Sequence, residues 1–252
     1  MPDADLLFAF ELVDLAAEMS LKPFHQRQFG VETKADGSLV TTVDREVESA
    51  LRERIVRYHP RDHVVGEEFG GDRGSGRCWY IDPIDGTHGY VAGTDGWNIL
   101  ISLADRGDVT VGVVDFPARG RRFWASSGQG AFADGNPMHV SDVDHLGKAT
   151  VCDDYRHNVE NRAPGHPLVR VADRAAKVHP HQGHSMLAVA DGRAEVAVGS
   201  GGGPWDYAPF VVVIHEAGGR CSDLRGELRF DTGSLLATNG LVHAEVLAAI
   251  DR

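Results

Sequence analysis

Basic charge is scarce in this chain, and lysine most of all. Lys22, Lys34, Lys148 and Lys177 are the only lysines among 25 basic residues, against 37 acids, and the formal net charge is −12. That balance excludes a general nucleic-acid binder, which needs clustered Lys and Arg to hold phosphate backbones. Long apolar runs are also missing. Stretches such as Phe210 to Ile214 are too short to span a bilayer. Cysteine is rare. Cys78, Cys152 and Cys221 are odd in number, far apart and in no CxxC pair. No disulfide framework or zinc ribbon is implied. The first residues, Met-Pro-Asp-Ala-Asp, are acidic where a secretory signal needs positive charge, so a cytoplasmic location is expected. What the chain does have is glycine, 30 of 252 residues, about 12% against a typical ~7%. Its 42% hydrophobic content is ordinary, and its length suffices for a large core in one domain or two closely joined ones.

Apolar residues at Leu6, Leu7, Phe10, Val13 and Ala17 predict an amphipathic helix over 4–20. A turn-rich segment, 30–38, precedes a second helix from Val43 to Tyr58, with Val47, Leu51 and Ile55 on one face. Short buried strands are expected at 64–65 and 79–81, and further strands at 97–103, 109–115 and 121–126. Beyond a strand at 150–151 the sequence is polar and His-rich to about 183. Then come a helix at 185–191, a strand at 194–198, a glycine-rich loop at 199–203 and a helix at 205–217. A strand at 234–237 and a helix at 241–250 close the pattern. Strands and helices alternate throughout, which predicts a layered α/β architecture.

The most informative stretch is Trp79-Tyr80-Ile81-Asp82-Pro83-Ile84-Asp85-Gly86-Thr87. An apolar strand delivers Asp82, and Pro83, which cannot donate to a ladder, is expected to end it. Asp85 follows on a turn that can bring both carboxylates to one point. Gly86 permits close backbone approach, and Thr87 can open a helix whose free N–H groups suit an anion. Paired carboxylates beside such a turn suit Mg²⁺, which takes oxygen ligands and shares its shell with phosphate. The plain alternative is an Asp-Pro turn with solvated acids. Val64-Val65-Gly66-Glu67-Glu68 is a second strand ending in acids. Asp44 follows Ser38 to Val43, and Asp206 follows Pro204-Trp205; either acid can also be read as a helix cap.

Taken together, these segments resemble the inositol monophosphatase family. The matching motifs are Gly66-Glu67-Glu68, Asp82 to Thr87, Trp205-Asp206 with Glu216-Ala217-Gly218-Gly219, and Val40 to Asp44. The resemblance covers nearly the whole chain and weakens between about 150 and 200. Within the family the chain looks most like bacterial histidinol-phosphate phosphatases, on Gly66 to Gly71, Val111 to Val114 and Ala237 to Gly240. The resemblance implies an αβαβα sandwich of the fructose bisphosphatase type. Residues 1–148 would form an α+β part with most metal ligands. Residues 149–252 would form an α/β part supplying Asp206 and substrate loops. It implies two to three Mg²⁺ ions: one on Glu67, Asp82 and the carbonyl of Ile84, one on Asp82, Asp85 and Asp206, and a weaker third sharing Glu67 through waters. Asp44 and Thr87 would orient and deprotonate the attacking water, with Glu67 also serving catalysis. Gly86 and Thr87 N–H groups would hold phosphate, while Glu68 is the less suited acid of its pair. Lithium sensitivity and a homodimer are also implied.

The expected reaction is metal-assisted hydrolysis of a small phosphate monoester, with histidinol phosphate the first candidate. Alternatives are a sugar, cyclitol or aminonucleoside phosphate of secondary metabolism, or inositol phosphate. A non-catalytic metal- or phosphate-binding regulator is the reading from another class. Three departures bear on substrate. His88-Gly89-Tyr90 stands where the family has a variable residue and Asn-Phe, so the Asn is lost. Gly199 replaces an acid that many relatives carry, which would let the loop admit a bulkier or differently charged substrate. Asp153 to His157 occupies a substrate-facing region, and His88, Asp153, His184 and Gly199 join the candidate substrate residues. His179, His181 and His184 form a cluster with no Cys or acid to complete a zinc spacing. Trp97, Trp124 and Trp205 are read as core aromatics, and Cys78 as an inert buried thiol.

Overall fold

The computed structural model describes residues 3–153, 167–180 and 184–251. Contacts divide the chain into two compact units, residues 1–127 and 128–252.

The first unit opens with α1 (Ala4–Gln26), begun by an Asp3 side chain that accepts from the Asp5 N–H. Its buried face carries Leu6, Ala9, Leu12, Val13 and Ala16. This face is rotated from the expected one: Leu7 is 48% exposed, and Phe10 and Ala17 are only partly covered. The helix is apolar around much of its circumference, so periodicity alone could not select the side that meets the sheet. The turn-rich segment 30–38 contains β1 (Val31–Thr33), which pairs antiparallel with β2 (Leu39–Thr41) just beyond it. Next comes α2 (Thr42–Tyr58), with Val47, Leu51 and Ile55 fully buried as expected. A sheet follows, of β3 (His63–Gly66), β4 (Arg77–Asp85), β5 (Asn98–Asp105), β6 (Asp108–Phe116) and β7 (Arg121–Ser126), in that order. The β3–β4 pair is parallel and the others antiparallel. Ile99, Ile101, Leu103, Val111 and Val113 pack with α1 and α2 in one core. The short α3 (Thr87–Ala92) leaves β4.

Pro83 does not end β4. The strand runs on to Asp85, with its register shifting against β5 between Asp82 and Asp85. A bulge is a place where a strand tolerates a residue with no N–H.

The second unit begins with a hairpin, β8 (Ala131–Ala133) and β9 (Asn136–Met138). Its sheet has the order β11 (Lys177–Pro180), β10 (Thr150–Asp153), β12 (Val196–Ser200), β14 (Ser234–Thr238), β13 (Arg220–Ser222). Its helices are α4 (Pro167–Ala172), α5 (Ser185–Ala190), α6 (Pro204–Glu216) and α7 (His243–Ile250). Strand alternation puts Val151, Val196 and Leu236 in one cluster with α4 and α7. Gly199, of the opposite parity, sits beside Met186 of α5 and Tyr207 of α6. Helices therefore cover both faces, and the layered α/β class expected from the sequence is the one observed. The polar, His-rich stretch to 183 contains α4 and β11, and sequence patterning missed both of these and β13. Among the described residues no helix is long and apolar enough to cross a membrane. Trp97 is fully buried, whereas Trp124 and Trp205 are only partly covered.

The buried edge of the second unit contains a titratable group with a clear consequence. His243 is 1% exposed and lies between Thr238 Oγ1 (2.9 Å from Nδ1) and Ser222 Oγ (3.1 Å from Nε2). Ser222 donates its own proton to the Asp223 carbonyl, so it accepts from Nε2–H, and the neutral ring is satisfied. Burial, helped by the Arg220 charge, depresses its pKa to about 4. A depressed histidine contributes stability that is full above the unfolded value near 6.5 and lost as pH falls toward 4. Urea unfolding should therefore show about 3 kcal/mol lost over that window from this residue alone. In His243→Asn that part of the pH slope should disappear; an unchanged slope would refute the assignment.

Candidate active site

Site residues of the first unit are delivered by three elements. The first is α2. Thr41 caps it, and Asp44 is its third residue, not the cap: Asp44 Oδ2 accepts from the Thr41 N–H at 2.9 Å and from the Thr41 hydroxyl. Asp44 is fully buried. Burial, with the nearby Glu67 charge, raises its pKa despite the Thr41 hydrogen bonds. Its Oδ1 lies 3.4 Å from Thr87 Oγ1.

The second element is the β4 bulge and the turn after it. Asp82 is 1% exposed, and its Oδ1 accepts from the Ile84 N–H at 3.0 Å, which braces the bulge around Pro83. The Ile84 carbonyl is 3.2 Å from Thr87 Oγ1. Asp85, paired in register with Asn98, accepts from the Asn98 amide at 2.6 Å. Gly86 has φ of +81°, a left-handed conformation that opens α3 and admits glycine without penalty. Gly86 and His88 are exposed.

The third element is the turn after β3, closed by a two-way bridge between Gly66 and Gly70 (3.0 Å each way). It carries Glu67 and Glu68, and Lys34 bonds both, at 2.8 and 2.7 Å. Burial of the Glu68 carboxyl, with the Glu67 and Asp44 charges, outweighs the Lys34 contact and raises its pKa to about 7. Burial opposes the Lys34 ammonium, yet its bonds to the two glutamates prevail and raise its pKa. Asp44, Glu67 and Glu68 thus feel one another's charge.

The donor set suits a hard divalent cation. Within the first unit the candidate ligand atoms are all oxygens, the carboxylates of Glu67, Asp82 and Asp85 and the Ile84 carbonyl. Sequence reasoning missed Asn98, Lys34 and Glu48, which touch these acids or their backbone. The signal for Asn98 was a lone amide at the head of an apolar strand.

In the second unit, Asp206 is the third residue of α6 and accepts from the Gly203 N–H at 2.5 Å; the cap position belongs to Gly203. Gly199 lies on β12, which runs on into the expected loop. A Cβ there would come within 2.6 Å of the Tyr207 ring, and Tyr207 Oη accepts from the Gly202 N–H at 3.0 Å. Glycine at 199 makes room for the Tyr207 ring. His184 caps α5 and stacks on Phe210, with centroids 4.0 Å apart. Asp153 ends β10 and His179 lies on β11, but their side chains, like residues 154–157 and His181, lie outside the described residues. Back in the first unit, the altered 88–90 segment has a structural account. The buried Tyr90 donates to the Ser20 carbonyl of α1 at 2.8 Å. Cys78 is buried, which pushes its thiol up to about 11 and leaves it unreactive at neutral pH.

Comparison with known proteins agrees with this picture. The model of the inositol monophosphatase family matches residues 2–252. The chain is 38% identical to a histidinol-phosphatase of Mycobacterium tuberculosis, over all of this chain and 99% of that one. It is 33% identical to a histidinol-phosphatase of Streptomyces coelicolor, over 100% and 99%. Among solved structures, Thermotoga maritima IMPase superposes with a TM-score of 0.83 at 28% identity, covering 99% of this chain and 97% of that one. The chain is a hydrolase of phosphate monoesters and belongs to the inositol monophosphatase family.

Proposed function

We propose that this phosphatase is Mg²⁺-dependent and hydrolyses a small phosphorylated metabolite, histidinol phosphate first among the candidates, by direct attack of water. The observation that carries the reading is the meeting of buried Asp44 with Thr87 beside the bulge that bears Asp82 and Asp85. Members of the family are metal-dependent, and two or three Mg²⁺ ions would be held by Glu67, Asp82, the Ile84 carbonyl and Asp85, with Asp206 kept as the further ligand that the family resemblance implies. When bound, such ions acidify water, screen the phosphate charge and stabilise the leaving oxygen.

The protein's own groups do the rest. The single Thr87 proton can go to Asp44 or to the Ile84 carbonyl. Donation to Asp44 leaves the Thr87 oxygen free to accept from a water, and passes the proton towards a buried carboxylate whose pKa is already raised. Asn98 holds Asp85 in one orientation. The N–H groups of Gly86 and Thr87 are proposed to hold phosphate oxygens. His88 of the first unit is proposed to face the rest of the substrate, and the family resemblance keeps Asp153, His184 and Gly199 as further candidates for substrate binding. No covalent phospho-enzyme is required.

The histidinol phosphate reading rests on the histidinol-phosphatases among the relatives, at 33–38% identity. A specialised sugar, cyclitol or aminonucleoside phosphatase is the second reading, favoured by glycine in place of an acid at 199 and by the altered 88–90 segment. Phosphate release with Mg²⁺ should be fastest on histidinol phosphate in a panel with inositol phosphates, sugar phosphates and nucleoside monophosphates. Best turnover of inositol phosphate would overturn the histidinol phosphate reading, and the sugar and aminonucleoside parts of the second. The same assay should show inhibition by millimolar Li⁺. A homodimer and a cytoplasmic setting complete the proposal.

A further inference from the structure

One side chain in the first unit is buried, ionisable and outside the groups named for chemistry. Glu48 lies one helical turn after Asp44 on α2 and is fully buried. Its carboxylate is aimed at the backbone of the turn that carries Glu67. Oε2 accepts from the Glu68 N–H at 2.7 Å, and Oε1 accepts from the Phe69 N–H at 3.1 Å. Arg52, a further turn along, donates from Nε to the same Oε1 at 2.8 Å. The Arg52 guanidinium also donates to the Gly70 carbonyl and, at 3.5 Å, to the Val64 carbonyl. Glu48 and Arg52 thus grip both sides of the Glu67 turn.

Gly66 shows how closely the fit is made. A Cβ added there would overlap the Glu48 carboxylate. The carboxylate occupies the space where any other residue at 66 would put its side chain. A structural acid could have been replaced by apolar packing, since burying an ion is costly. Here the charge does what packing cannot: it orients two adjacent N–H vectors, and they orient the peptides on either side of Glu68.

We propose that Glu48 is a positioning residue: through the 66–70 turn it fixes the direction in which Glu67 presents its carboxylate to a divalent ion, with Arg52 locking Glu48 in place. The proposal rests on the reading of Glu67 as a metal ligand. It also explains why α2 carries two buried acids at i and i+4, which lie on one face. Asp44 fixes the Thr87 side of the site and Glu48 the Glu67 side, at a spacing set by one rigid helix.

The test titrates Mn²⁺ into full-length wild type, Glu48→Gln, Arg52→Gln and Glu67→Gln, and reads free ion by electron paramagnetic resonance. Thermal melting of EDTA-treated protein and kcat at saturating metal are followed in parallel. Glu48→Gln should raise the Kd for Mn²⁺ about tenfold, the size of effect seen when groups that orient metal ligands are removed, with kcat at saturating metal recovered to within about threefold. A role in folding alone would lower the melting temperature and leave the Kd of the folded protein unchanged, and that result overturns the proposal. Arg52→Gln should act in the same direction by about threefold. It carries the test if Glu48→Gln does not fold, and an unchanged Kd there overturns it equally. Glu67→Gln separates the two layers of the argument. If it binds Mn²⁺ as wild type does, the ligand reading of Glu67 has failed and the proposal falls with it. If it alone binds weakly, the ligand reading stands and the positioning role of Glu48 is refuted.

Discussion

Asp82→Asn should abolish phosphate release, by at least about 10³-fold, with little change in folding. A loss of that size corresponds to about 4 kcal/mol of transition-state stabilisation. Asp82 has two tasks in one side chain. As an acceptor it holds the Ile84 N–H and so the shape of the bulge. As an anion it is proposed to hold Mg²⁺. The amide keeps an oxygen for the first task and removes the charge needed for the second. Melting temperature and circular dichroism should stay close to wild type, while metal-dependent activity disappears at every Mg²⁺ concentration. Retention of a tenth of the activity would remove Asp82 from the proposed ligand set. Loss of the folded signal would show that the charge, and not the hydrogen bond that the amide retains, holds the bulge in shape.

Asp44→Asn is the second large effect, and its two consequences point in opposite directions. Removal of a general base costs about 10²–10⁴-fold in rate, so kcat should fall by roughly 10³. Stability should not fall with it. The pKa of Asp44 is raised in the folded protein, mainly by burial. For such an acid the charged form is worse off folded than unfolded, so its contribution costs stability once pH exceeds the unfolded value of 3.8. A neutral amide relieves that cost at neutral pH while still accepting from Thr41. Metal-free Asp44→Asn should therefore melt at or above the wild-type temperature, and Mn²⁺ affinity should be nearly unchanged. A variant that is inactive because it has lost the metal would place Asp44 among the ligands and not with Thr87. A variant of normal activity would end the water-activating role altogether.

Geometry of this kind is partly legible in the amino-acid order. The helix over Val43 to Tyr58 was readable because Val47, Leu51 and Ile55 recur at a strict spacing with charges between them. The Asp82 to Thr87 block was readable because a β-strand that ends in Asp-Pro-x-Asp-Gly concentrates carboxylates and a permissive glycine in five residues. Pro83 misled for a physical reason. Its missing N–H argues against a ladder position, but a bulge removes the need for that donor, and bulges leave no pattern in a single strand. The same limit explains α1, where apolar residues surround the helix and only the sheet it packs on decides that Leu6 and Leu12 are buried and Leu7 is not.

By itself, then, the amino-acid order determined the alternation of helix and strand, the acids placed at strand ends and helix starts, and the excess of negative charge that a cation would offset. These follow from local rules, since side-chain period, backbone freedom and formal charge need no distant partner. Only the tertiary structure decided which acids take which part. It put Thr87 beside Asp44, across 43 positions of sequence, and Asn98 beside Asp85. It turned Glu48 from one more charge on a helix into the anchor of the Glu67 turn. It filled the space at Gly199 with Tyr207. Each of these depends on chain segments meeting at a few ångströms, where a carboxylate's burial and the direction of its hydrogen bonds set its chemistry, and neither quantity exists until the chain has folded.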